Sequence, residues 1–134
     1  ATLQSAFETI GARCFRVASS DKLLYHGAAV FATNFIPVLQ YVAEGLWRAS
    51  GVPPDVVTEL RSSLLRNAVA NITALGPQGA LTGPAARGDV DAIARQARAL
   101  QARDPATGAA YTALSELALR MAGHTPPVTK SALD

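Results

Sequence analysis

The stretch LLYHGAAVFATNFIPVLQYVA, residues 23–43, carries no formally charged side chain. Twenty-one uncharged residues (23 to 43) are long enough to span a bilayer as a helix. Yet the stretch also holds His26, Thr33, Asn34, Pro37 and Gln40, each costly in lipid. A central helix covered by protein on several sides accounts for it better, and no membrane association is expected. Leu24, Ala28, Phe31, Phe35, Val38 and Val42 step by 4, 3, 4, 3 and 4, the seven-residue period of long helices packed side by side. Asp21 stands as N-cap of this helix, which is expected to run to about Ala49 with a kink at Pro37, where the Thr33 carbonyl loses its donor.

The rest of the chain agrees with a helical reading. Apolar residues make up 49% and charged residues 16% of the 134, more apolar surface than a lone bundle of this size needs, so a partner surface is expected. Leu3, Phe7 and Ile10 mark a short helix, and CFRV at residues 14–17 a brief extended piece. Pro54 or Asp55 opens a helix to about Leu75 with the core row Val57, Leu60, Leu64, Ala68, Ile72 and Leu75. A glycine-rich loop, residues 76–88, leads to Asp89 as cap of a helix to about Ala102 that buries Ile93, Ala97 and Leu100. RDPATG reads as a connector, and a last helix, about 109–122, shows Tyr111, Leu114, Leu117 or Ala118, and Met121. The expected fold is all-α, about five helices with two long ones packed side by side. It forms one domain over residues 1–123, with residues 124–134 a loosely held tail.

Several function classes lack support. The net charge is only +2 and the arginines are dispersed, so nucleic acid is not an expected partner. Cys14 is the sole cysteine, which fits a reducing cytoplasm. With His26 and His124 the only histidines, no metal set is legible. Cys14 has no predictable histidine neighbour and reads as no nucleophile.

What chemistry remains lies in three clusters. Lys22 and His26 are one helical turn apart, and Thr33 returns to nearly the same face, with Asn34 beside it. His26 is either a proton donor or acceptor or a core histidine satisfied by a backbone carbonyl. Asn67 and Asn71 share the row of Leu60 and Leu64, where amides need partners, whether loop, neighbouring helix or ligand. In ALTGPAARGD, residues 80–89, Asp89 and Asp91 at the helix start would repel a phosphate, and no GKS/T follows. The stretch is a stiff connector in which Arg87 either pairs with Asp89 or Asp91 or binds a carboxylate in a cleft.

KLLYHGAAVFATNF, residues 22–35, an asparagine-bearing helix and then GALTGPAARGD, residues 79–89, together resemble the helical domain of unknown function 2520. Gly27 stands where alanine is more usual there. The resemblance implies a fold like the C-terminal domain of 6-phosphogluconate dehydrogenase, following an N-terminal Rossmann domain. The same plan is found in pyrroline-5-carboxylate and ketopantoate reductases, whose helical domain dimerises and closes the cleft over the nicotinamide. It implies a homodimer, a small-molecule substrate, and NADP or NAD held mainly by the Rossmann domain, with no cofactor in this chain. No glycine-rich dinucleotide fingerprint occurs in the 134 residues, and the chain begins at Ala1, so it reads as the substrate and dimerisation half of such an enzyme, inactive alone. Related enzymes place a lysine and an asparagine four apart; here Lys22 and His26 hold that spacing. That carry-over makes His26 the acid/base group and Lys22 its orienting partner, with Asn34, Asn71, Thr82 and Arg87 lining the cleft. The rival reading is a non-catalytic helical interaction module.

Overall fold

The long uncharged stretch does form a helix, but one interrupted by a wide turn. In a computed structural model, which describes residues 3–126, α2 (Lys22–Ala29) passes into a π-helical segment (Val30–Asn34) and on into α3 (Phe35–Ala49). Before it come α1 (Leu3–Thr9) and a single 3₁₀ turn, Ser19–Asp21, with residues 12–18 irregular between them. After it come α4 (Pro54–Ala80), α5 (Gly83–Ala86), α6 (Val90–Arg103) and α7 (Pro105–Met121). No strand occurs among the described residues, and the fold is all-α. None of the described helices is long and apolar enough to cross a membrane.

Two expectations about the start of the long helix are corrected. The Asp21 side chain makes no cap; its Oδ1 instead accepts from Ser20 Oγ at 3.1 Å, because the 3₁₀ turn places Asp21 already in helical backbone. Nor does the chain depart from α geometry at Pro37. The departure lies a turn earlier, where the Phe35 N–H reaches the carbonyl of Val30, five residues back. The wide turn restarts the helix, so Pro37 falls in the first turn of α3, where a missing N–H costs little.

The chain divides into two units, Ala1–Leu46 and Trp47–Asp134. In the second, α6 and α7 form an antiparallel pair joined by Asp104 alone, and α5 packs on both. RDPATG is therefore no connector: Asp104 Oδ2 accepts from the Thr107 backbone N–H at 2.8 Å and from Thr107 Oγ1 at 2.6 Å, and Pro105 opens α7 at its first position. Asp89 caps α6 as expected, its Oδ1 accepting from the Ala92 N–H at 2.9 Å. α4 changes direction at Gly76, whose φ of 73° and ψ of 168° end the regular helix beside Leu75, the end read from the sequence. The supposed loop that follows holds a helical turn through Ala80 and then α5, not open coil.

The core is small and falls in the second unit: Val57, Ala85, Gly108 and Leu119 are its buried residues. The stripe α7 turns inward is Gly108, Thr112, Ser115 and Leu119, with Leu114 and Leu117 left exposed. Gly108 lets the α6 backbone come close at one end of this face, and Leu119 fills the core at the other. Two expected core rows are also corrected. On α4 only Val57 and Leu60 of the row are covered, and Leu64, Ile72 and Leu75 are exposed. In the first unit no described residue is buried, and Leu24 is 77% exposed and Phe31 63%.

Candidate functional site

The first cluster stands on α2 and the turn after it. Lys22 and His26 occupy successive turns, both exposed, and neither side chain has a hydrogen bond or ion pair among the described residues. His26 is thus not a core histidine closed on a backbone carbonyl, since the helix sets it on an unburied face. Its imidazole meets Tyr25 edge to face at 5.9 Å, and Tyr25 meets Phe15 at 6.1 Å. An exposed imidazole whose nitrogens have no partner among the described residues can exchange a proton with a ligand.

Asn34 closes the π segment. Its Oδ1 lies 2.7 Å from Thr33 Oγ1, which lies 2.9 Å from the Ala29 carbonyl. The single Thr33 hydroxyl proton has both oxygens within reach and donates to one of them at a time. Wide turns of this kind free backbone carbonyls and re-aim side chains, which is why they recur at functional sites. Nothing in the residue pattern marks it, because a π turn has no composition signal distinct from α.

The second cluster brackets α5. Thr82 precedes the helix in extended backbone (φ −132°, ψ −175°) with its side chain making no cap, and Arg87 follows it. Both are exposed, and Arg87 pairs with neither Asp89 nor Asp91. Asp89 is committed to its cap, which leaves the guanidinium available to an anion. Asn71 is exposed on α4 without a hydrogen-bond partner among the described residues, so it is not the amide on a buried face that its row suggested. Lys22, His26 and Asn34 belong to the first unit; Asn71, Thr82 and Arg87 belong to the second.

Thr82 also lines an open groove of about 230 Å³ inside the second unit, between the Leu81–Ala85 segment, α6 and α7. Its other walls include Ile93, Tyr111, Leu114, Ser115 and Ala118. The Tyr111 hydroxyl is held by Gln96 Oε1. Of the face expected from spacing (Tyr111, Leu114, Leu117 or Ala118, and Met121), Leu114 and Leu117 are exposed, and Tyr111, Leu114 and Ala118 line this open groove. No group of three or more potential metal ligands occurs among the described residues.

A family model for a domain of unknown function, DUF2520, matches residues 1–118. This chain belongs to the DUF2520 family. The match takes in both motif-bearing stretches, residues 22–35 and 79–89, and all of α1 to α6. No curated protein and no solved structure matches the chain. Within DUF2520, then, the two free clusters and the groove are read from this chain's own geometry.

Proposed function

We propose that this DUF2520 chain is the substrate-binding and dimerisation domain of an NAD(P)-dependent oxidoreductase. One observation carries the reading: Lys22 and His26 stand unengaged on a helix whose apolar side chains are also uncovered. A self-sufficient helix hides its apolar stripe and leaves charged groups in water. A helix that exposes both is one wall of something larger.

The apolar part of that surface supports self-association. Nine large apolar side chains between Leu23 and Tyr41 are exposed. At roughly 100 Å² each they offer about 900 Å², close to the ~800 Å² per partner of a specific interface. The polar groups support substrate binding. In the first unit His26 is the acid/base group, Lys22 orients the substrate and Asn34 hydrogen-bonds it; in the second, Asn71 and Thr82 are the hydrogen-bonding groups and Arg87 the carboxylate binder.

The nicotinamide nucleotide, NADP or NAD, belongs to a separate domain in this reading. A pyrophosphate site of the dinucleotide type needs closely spaced glycines between a strand and a helix. No two glycines in the sequence are two apart, and no strand occurs among the described residues, so these residues do not supply one. What this chain contributes is substrate binding and the proton.

The test is to read the gene upstream of Ala1, express the continuous protein, and assay 2-oxo acids and cyclic imines with NADPH and NADH. Oxidation of the nicotinamide that depends on His26 supports the reading. An upstream sequence with no nicotinamide-binding domain leaves the interaction module standing in its place.

A further inference from the structure

We propose that the groove walled by Thr82, Ile93, Tyr111 and Ser115 is a binding subsite for a small, uncharged aliphatic group, branched or cyclic, of about five or six carbons. Its lining sets the chemistry. Leu81, Pro84, Ala85, Ile93, Leu114 and Ala118 supply an apolar wall, and no Asp, Glu, Lys, Arg or His takes part. An ionised group placed there loses water and gains no counter-charge, whereas an alkyl group loses contact with water at no such cost. The Thr82 and Ser115 side chains, both on the lining, make no hydrogen bond to the described residues. They are open to a hydroxyl or carbonyl attached to the alkyl group.

Its size sets the rest. At about 230 Å³ the groove is smaller than the ~300–1,000 Å³ of sites that enclose a whole drug-sized ligand. It takes a portion of a molecule and leaves the remainder outside. Part of the wall is held before anything binds: Pro84 and buried Ala85 lie in α5, and the Tyr111 hydroxyl donates to Gln96 Oε1. A site that needs no ordering wastes none of the contact energy on it. That this ligand is the enzyme's substrate rests on the oxidoreductase reading; the binding does not.

The experiment is an amide-resolved NMR titration of the 134-residue chain with 4-methylpentan-2-ol, against ethanol as the polar end alone. Saturable shifts are expected at residues 81–85 and 111–118, with a dissociation constant on the order of 1 mM for seven heavy atoms and at least about tenfold weaker binding of ethanol. Ala118→Leu fills the space and abolishes the shifts. Thr82→Val keeps the shape and weakens binding a few-fold. Should Ala118→Leu disturb the helical pair, Thr82→Leu closes the groove from an exposed position. The proposal falls if the shifts do not saturate, if they spread equally over the exposed apolar rows of α2 and α3, or if the groove-filling variants bind as before. It falls also if the same amides shift with protein concentration and no probe, for then a second copy's side chain is the occupant. Loss of turnover in the continuous protein leaves this result untouched, and absence of binding here leaves the nicotinamide assay untouched.

Discussion

Gly108 of α7 backs onto Gln101 of α6 so closely that a Cβ on Gly108 would stand 2.6 Å from the Gln101 Cα and 2.7 Å from its backbone nitrogen. Both obstacles are main chain and cannot rotate away. Gly108→Ala is therefore expected to push α6 and α7 apart and cost about 2–3 kcal/mol, at the upper end for overpacking. Chemical denaturation measures it, and an unchanged midpoint would show that the two helices do not meet here.

A second close approach joins the end of α7 to the turn before α6. The His124 ring lies 3.0 Å from where a Gly88 Cβ would be, and its Nε2 is 3.3 Å from the Ala86 carbonyl oxygen. Gly88 also has φ at +68°. Gly88→Ala meets both penalties and is expected to cost about 1–3 kcal/mol. Adding His124→Ala to it removes the clash but not the backbone strain, so the pair recovers only part of the loss. Full recovery would mean that strain contributes nothing.

Asp104 gives the fold a dependence on acid. The Thr107 hydroxyl, and after it the Thr107 backbone N–H, hold its carboxyl below the ordinary 3.8. A carboxyl lowered in the folded state contributes stability that is complete above the unfolded value and is lost as pH falls through the folded one. Thermal melts should show Asp104→Ala less stable than the parent at pH 6, with the gap narrowing below about pH 4. A gap that does not change with pH would assign the effect to something other than the charged cap.

Self-association is expected to depend on the α2–α3 surface. Leu24 is 77% exposed, so Leu24→Glu removes no intrachain packing. Sedimentation at micromolar concentration should give a dimer for the parent chain and a monomer for the variant, with helicity by circular dichroism unchanged. A parent that runs as a folded monomer ends the dimer reading.

Under the proposed oxidoreductase reading, His26→Ala in the protein expressed with its upstream sequence should lower kcat by about 10²–10⁴-fold, the usual contribution of a positioned acid or base. Arg87→Met should instead raise KM for acid substrates and leave neutral ones alone. Steady-state kinetics separates the two effects, and a His26 variant with full turnover removes it from the chemistry.

How much of this was legible beforehand follows from the range of the forces involved. Helices α4 and α6 were readable nearly to the residue, because Pro54, Gly76 and Asp89 act on their own neighbours in the chain. Local signals misled at Asp21 and Pro37, where a 3₁₀ turn and a wide π turn reset the helix, and again at residues 103–108. Asp104-Pro105 followed by Gly108 looks like a connector, yet it is an N-cap, a first helical position and a helix contact in turn. The motifs single out Lys22, His26, Thr82 and Arg87, but nothing in them shows the groove that Thr82 lines.

The sequence alone determined that this chain is helical, where most helices begin and end, and which polar groups its motifs carry, since capping, propensity and turn geometry act over a few residues. Only the tertiary structure decided which faces are covered. In α7 Gly108 and Leu119 are buried and Thr112 and Ser115 half-buried while Leu114 is exposed, and among the described residues most of the apolar row of α2 and α3 is uncovered. Periodicity can say that a stripe is apolar; what lies against it depends on how near another backbone can come, which the smallest residues control.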